Sequence, residues 1–141
     1  MNLFSVKPLG LNAGLFLIRV LTGSFLLYHG WEIFNGKAMQ EYAQWDAFKN
    51  MSYPTGMVYA GKFFELAGGA LLVLGLVTRI ASLMVAGTLG YITFVMGNGK
   101  IWSDDQYPFL FVMLLLVFIF TGPGTISVDA FINKQKLIKQ I

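Results

Sequence analysis

Cysteine is absent from this chain of 141 residues, and histidine occurs once. The lack of cysteine excludes disulfides, thiolate nucleophiles, iron–sulfur clusters and CxxC redox relays. One histidine is too few for a multi-histidine metal or haem site. We therefore expect no metal and no covalently attached cofactor, and a redox role would require electrons from another protein.

Charged residues are also scarce. Asp, Glu, Lys and Arg make up 12% of the residues, whereas soluble domains carry about 25%. Hydrophobic residues make up 56%, and the mean hydropathy is +0.65. This composition predicts an integral membrane protein, and the length predicts one transmembrane domain over residues 1–141. The net charge of +3 is too small to indicate nucleic acid as a partner, so the lipid bilayer is the expected partner surface.

Four apolar segments are long enough to be read as membrane spans, which predicts an all-α four-helix bundle. They cover residues 12–34, 56–78, 80–96 and 107–121. Between the first two, apolar residues recur every three positions, which predicts a short interfacial helix in the first outer loop. These residues are Met39, Tyr42, Trp45, Phe48 and Met51. The tail from Ser127 predicts an amphipathic C-terminal helix, with apolar residues on one face and lysines on the other.

An even number of spans places both termini on the same side of the membrane. That side would carry five basic residues, Lys7, Arg79, Lys134, Lys136 and Lys139, and the other side three, Lys37, Lys49 and Lys100. The positive-inside rule therefore predicts a multi-pass protein of the cytoplasmic membrane with both termini in the cytoplasm.

The second span carries two charges, Lys62 and Glu65, at membrane depth. Each charge there costs roughly 2.5–3.5 kcal/mol on insertion scales, so such residues are rare and are functional candidates by default. At about 100° per residue, both charges share one helix face with Gly61, Gly68 and Gly69. We expect that face to point into protein.

The first span also has a polar face, which includes Arg19 and His29. Antiparallel packing of the first two spans places His29 and Lys62 about 8 Å below the outer boundary, with Glu65 one turn deeper. We therefore predict that these three residues line an outward-opening polar pocket, with Tyr28 and Tyr59 as neighbours.

Glu32 lies about 140° around the helix from Arg19 and is interpreted as an interfacial residue. Near the inner boundary, Arg19, Arg79 and Asp129 are expected to form structural ion pairs, with Asp129 bridging to one arginine. Arg19 is long enough either to reach toward Glu65 or to snorkel to the cytoplasm.

Small residues on these faces are predicted to allow close helix packing. In the first two spans they are Gly23, Gly30, Gly68, Gly69 and Gly75, and in the third they are Ser82, Ala86 and Gly90.

A purely structural interpretation competes with the pocket. Lys62 and Glu65 are three residues apart on one helix and can neutralise each other. A lone histidine on a helix face is more often a packing residue than a catalytic one, and the sequence singles out no catalytic group.

Three groups of residues together resemble the DoxX family of small bacterial four-span membrane proteins. They are Arg19-x3-Gly23-x4-Tyr28-His29-Gly30, Glu65-x2-Gly68-Gly69-x5-Gly75-Leu76-x2-Arg79 and Gly122-Pro-Gly124-x2-Ser127-x-Asp129. The resemblance implies a four-helix bundle in the bacterial cytoplasmic (inner) membrane. It also implies an association with quinone-linked oxidoreductases, because relatives include a subunit of a thiosulfate:quinone oxidoreductase and others are thought to partner redox-stress enzymes.

The leading hypothesis is a membrane subunit that binds a quinone or a similar apolar carbonyl compound between the first two spans. His29, Lys62 and Glu65 would serve the ring oxygens, and a partner would supply the electrons. One alternative is a non-catalytic membrane scaffold or anchor for partner proteins. Another is a small transporter or proton path, which would need a homo-oligomer.

Overall fold

The computed structural model describes residues 9–48 and 51–139, and these residues form helices and turns without β-strands. We number the α-helices α1 (Leu11–Gly30), α2 (Gly36–Ala43), α3 (Pro54–Leu74), α4 (Thr78–Tyr91), α5 (Gln106–Thr121) and α6 (Val128–Ile138). A 3₁₀ turn, Trp31–Phe34, extends α1, and a π-helical turn, Ile92–Met96, extends α4. A second 3₁₀ turn covers Asp46–Phe48. The all-α prediction is confirmed.

Each predicted apolar segment coincides with a helix. Three helical segments have the length and hydropathy to cross a membrane: Leu11–Phe34, Pro54–Leu74 and Thr78–Met96. The fourth, Gln106–Thr121, has 16 residues and spans about 24 Å, which is short for a crossing. The fold is therefore that expected of a helical membrane bundle whose last apolar helical segment is the shortest of the four.

Helix α1 packs most closely on α3, and α4 packs most closely on α5, while α3 joins the two pairs. Glycines make the first contact possible. A Cβ atom on Gly23 would lie 2.8 Å from the Gly69 carbonyl oxygen, and one on Gly69 would lie 2.7 Å from the Leu27 nitrogen. A Cβ on Gly30 would overlap the backbone of Leu66. These backbones therefore approach too closely for any larger residue.

The remaining predicted packing residues divide into two groups. Gly68 packs under Val85, and Ser82 and Ala86 are buried. Gly90 has open space where a Cβ would stand, so its predicted role in close packing is wrong in this structure. It lies on α4 next to no neighbouring helix because the helix presents its other face to α3 and α5.

The segment between α1 and α3 forms a cap over one end of the bundle. Asn35 begins α2 by accepting a hydrogen bond from the Ala38 N–H at 3.3 Å. Met39 and Phe48 are buried together with Val58 of α3. The predicted short helix exists, but it ends at Ala43 and packs on the bundle, because its apolar side chains fill the space between α3 and the turn after α1.

The opposite end holds the α3–α4 turn, the loop 122–127 and α6. Ser127 Oγ begins α6 by accepting a hydrogen bond from the Ala130 N–H at 3.1 Å. Phe131, Leu137 and Ile138 of this helix are exposed. The predicted amphipathic tail is thus a helix with an apolar surface open to its surroundings. Lys7 and Lys49, used in the charge count above, lie outside the described residues.

Candidate functional site

A compact charged cluster joins α1 to α3 near the capped end. Lys62 Nζ lies 3.1 Å from Glu65 Oε2 and 2.9 Å from Glu32 Oε2. The same ammonium group donates a hydrogen bond to the His29 carbonyl oxygen at 3.3 Å. The predicted neutralisation of Lys62 by Glu65 occurs, and a second carboxylate from α1's extension shares the cation.

Glu32 is the residue of this cluster that helical periodicity missed. The chain after Gly30 turns as a 3₁₀ helix, with about three residues per turn, so an α-helical wheel misplaces the side chain. The depth of Glu32 in the membrane would have identified it as a partner of Lys62. A glutamate in the last turn of the first apolar segment needs a cation, and Lys62 lies at the same level. The interpretation of Glu32 as an interfacial residue did not foresee its pairing with Lys62.

Tyr42 brings the cap into the cluster. Its hydroxyl donates a hydrogen bond to Glu32 Oε2 at 3.0 Å, and Lys62 Nζ lies 5.5 Å from the centre of its ring. Burial, followed by the hydrogen bond to Glu32, raises the pKa of the Tyr42 phenol above its ordinary value of 10.0. The phenol therefore stays protonated at neutral pH and remains a hydrogen-bond donor.

A cavity of about 840 Å³ lies beside the cluster, between the cap and the capped-end halves of α3, α4 and α5. His29, Glu32, Lys62 and Glu65 form part of its wall. The rest is mainly apolar and includes Leu26, Phe48, Val58, Phe64, Ile92 and Phe111. The structure thus brings the three predicted pocket residues to one cavity.

The two predicted tyrosine neighbours lie elsewhere. Tyr28 is 73% exposed and lines a separate open groove with Trp31 and Phe34, although its ring contacts the His29 ring edge-on at 5.5 Å. Tyr59 is also exposed and is not part of the described wall of the cavity. Tyr42, from the cap, is the tyrosine that contacts the charged cluster.

At the other end of the bundle, Arg19 is 1% exposed and holds the loop after α5. Its two terminal nitrogens donate to the carbonyl oxygens of Pro123 and Ile126 at 2.6 and 2.8 Å. The side chain therefore neither reaches Glu65 nor snorkels to solvent. Backbone carbonyls, which a sequence motif does not display, are instead the partners of the two terminal nitrogens.

Asp129 receives backbone donors as well. Its Oδ1 and Oδ2 accept hydrogen bonds from the N–H groups of Val77 and Thr78 at 2.7 and 2.9 Å. These are unpaired donors at the positive end of α4, which attract a carboxylate. Within residues 9–48 and 51–139 no ion pair joins Asp129 to Arg19 or to the exposed Arg79, so the expected arginine bridge is not formed.

Comparison with known proteins agrees with this architecture. The DoxX family profile matches residues 14–98. A Bacillus subtilis (strain 168) protein named "Putative oxidoreductase CatD" is 32% identical over 124 residues, which cover 87% of this chain and 90% of that protein. An "Uncharacterized protein" of Haemophilus influenzae (strain ATCC 51907 / DSM 11121 / KW20 / Rd) is 30% identical over 80 residues, covering 52% of this chain and 60% of that protein. No solved structure matches significantly. The chain belongs to the DoxX family of membrane proteins.

Proposed function

We propose that this protein binds a quinone-type molecule in the cavity beside the charged cluster, as a membrane subunit of a quinone-linked oxidoreductase. One observation carries the proposal: a mainly apolar cavity has Glu32, Lys62 and Glu65 concentrated on one part of its wall. Intramembrane ionisable residues are expensive, and placing them at a cavity is typical of ligand or proton sites.

The size and lining of the cavity suit such a ligand. Small-molecule pockets measure about 300–1,000 Å³, and this one measures about 840 Å³. Phe64, Ile92 and Phe111 supply flat and branched apolar surfaces for a ring and the start of its tail. The polar groups lie together, which would orient the oxygen-bearing part of the ligand.

The roles of the residues follow from their partners. Converting a quinone to a quinol takes two electrons and two protons. Glu32, Glu65 and His29 are the groups placed to exchange protons with a ligand in the cavity. Lys62 holds the two carboxylates in position. The electrons would come from a partner protein, and the printed name of the Bacillus subtilis relative supports an oxidoreductase setting.

The proposed location is the bacterial inner membrane, with both termini in the cytoplasm and the cavity in the outer half of the bilayer. Arg79, Lys134 and Lys136 lie at the end that carries α6, and Lys37 and Lys100 lie at the capped end. This distribution supports the orientation given by the positive-inside rule.

The test compares two glycines of α4. Gly87 lines the cavity and Gly90 does not, and both have open space at the position of a Cβ. Leucine at position 87 should fill the cavity without disturbing the helices, whereas leucine at 90 should project away from it. Binding of 2-methyl-1,4-naphthoquinone would be followed by quenching of the three native tryptophans in mild detergent.

We expect Gly87→Leu to weaken binding at least tenfold while Gly90→Leu binds like the natural protein. Mass spectrometry of small molecules that co-purify with the protein should find a quinone or related aromatic in the natural protein and less of it in Gly87→Leu. Undetectable binding of both 2-methyl-1,4-naphthoquinone and its reduced diol in the natural protein, or equal binding in both variants, would overturn the proposal and favour a scaffold. Solute or ion flux through vesicles containing the protein would favour a transporter.

A further inference from the structure

The hydrogen-bond donors of the charged cluster are already in use. The Lys62 ammonium group has three N–H bonds and three acceptors: Glu32 Oε2, Glu65 Oε2 and the His29 carbonyl oxygen. The Tyr42 hydroxyl donates to Glu32 Oε2. Neither residue has a donor left for the carbonyl oxygen of a quinone.

Acceptors, by contrast, are left over. Glu32 and Glu65 each use only Oε2 in these contacts. Among the described residues, the fully buried side-chain atoms that lack a partner are Arg19 Nε, Thr78 Oγ1 and Ser82 Oγ. The Oε1 atoms of Glu32 and Glu65 have no partner in these contacts, yet they do not belong to this fully buried group. Both Oε1 atoms are therefore accessible, on residues that line the cavity.

The net charge of the cluster also favours a ligand that donates hydrogen bonds. Two carboxylates and one ammonium group give the cluster a net charge of −1 when all are ionised, by simple addition of the groups in contact. A carbonyl oxygen placed against a free carboxylate oxygen is repelled, whereas a hydroxyl group donates a charge-assisted hydrogen bond to it.

Among the other donors of the cavity wall, the Thr88 hydroxyl already donates to the Met84 carbonyl oxygen, and the aromatic donors are exposed. Trp45, Tyr91 and Tyr107 are 58%, 40% and 78% exposed, whereas Glu65 is 6% exposed. The His29 imidazole donates or accepts according to its tautomer and so favours neither kind of ligand. The polar side chains deep in the cavity therefore offer a ligand hydrogen-bond acceptors rather than donors.

We infer that the cavity selects the hydroxylated form of its aromatic ligand, a quinol or phenol, over the carbonyl form. This inference rests on the proposed function and specifies which redox form the site holds. Hydrogen bonds to a charged group would give the hydroxylated form an advantage of about 10- to 100-fold in affinity. A tenfold preference for the reduced form raises the two-electron potential of the bound couple by about 30 mV.

The experiment measures the affinities of two matched pairs of probes by tryptophan quenching. One pair is 2-methyl-1,4-naphthoquinone and its reduced diol, kept anaerobic. The other is 1-naphthol and 1-methoxynaphthalene, which differ in the donor and do not interconvert. We expect the diol and 1-naphthol to bind at least tenfold more tightly than their counterparts.

Glu65→Gln replaces a carboxylate by an amide that both donates and accepts, and it leaves Lys62 paired with Glu32. It should reduce both preferences to about threefold or less while the protein stays folded. Glu41→Gln, the same change on an exposed position of α2 outside the cavity wall, should leave them unchanged.

Equal binding within each pair, or tighter binding of the quinone, would overturn the inference and leave the proposed function standing. If Glu65→Gln kept the preference for the hydroxylated probes unchanged, the assignment of that preference to the cluster carboxylates would be wrong. Failure of all four probes to bind would remove the proposed function and this inference with it.

Discussion

Lys62 Nζ lies 2.9 Å from Glu32 Oε2, so the cation of α3 is paired with the turn that ends the first apolar segment as well as with its own helix. The Lys62 side chain is 16% exposed. The two helices are therefore joined at the cavity by one ammonium group that pairs with two carboxylates.

Removing that ammonium group should cost more than removing one of the carboxylates. Lys62→Met leaves Glu32 and Glu65 close together without a cation, and we expect it to lower the free energy of unfolding by about 3 kcal/mol or more. Glu65→Gln keeps the Lys62–Glu32 pair and should cost about 1–2 kcal/mol. Thermal unfolding in detergent measures both, and an equal or larger loss in Glu65→Gln would contradict the shared pairing.

Arg19 and Arg79 should respond differently to the same conservative change. Arg19→Lys keeps the charge but loses the planar fork that reaches Pro123 and Ile126, and we expect a loss of about 2 kcal/mol or more. Arg79→Lys changes an exposed side chain and should stay within about 0.5 kcal/mol of the natural protein. Similar melting temperatures for the two variants would argue against the role of the buried fork.

The α3–α4 turn contains an unfavourable backbone conformation at Val77, whose φ is 43°. A β-branched residue is strained there, whereas glycine is not. Val77→Gly should therefore raise the free energy of unfolding by about 0.5–1 kcal/mol. Ile80→Gly, an exposed position inside α4, is the control and should lower it by about 1 kcal/mol. A loss of stability in both variants would show that the left-handed turn carries no strain.

Topology can be tested cleanly because the chain has no cysteine of its own. Asn98→Cys lies at the capped end and Thr125→Cys at the end that carries α6, and both positions are exposed. In whole cells, a membrane-impermeant thiol reagent should label position 98 and should reach position 125 only after lysis. The opposite pattern would reverse the proposed orientation.

Hydrophobic runs and charged faces predicted the helices and the meeting of His29, Lys62 and Glu65 well. Both follow from short-range rules: an apolar segment of sufficient length forms a helix in a membrane, and residues three or four apart share a face. Gly23 and Gly69 belong to the same class, because glycine on a polar helix face indicates close packing.

The predictions that failed concern residues where the chain departs from regular helix geometry or where the backbone supplies the hydrogen-bond partner. The 3₁₀ turn moved Glu32 to the cavity, and the packing of α2 against α3 placed Tyr42 beside it. Arg19 and Asp129 are expected from the sequence to pair with charges, but they bond to backbone carbonyls and N–H groups near loop ends. A sequence shows which side chains are charged, but not which backbone groups a loop leaves free.

The contacts of Arg19 can form only late in the synthesis of the chain. Its acceptors, on Pro123 and Ile126, come 104 and 107 positions later in the chain. Because synthesis runs from the amino terminus, the first helix is made long before these acceptors of its guanidinium exist. Chains truncated after Thr121 should therefore be degraded faster than chains truncated after Ser127, and equal lifetimes would contradict this. The loop 122–127 thus decides when the buried arginine of the first helix acquires its native partners.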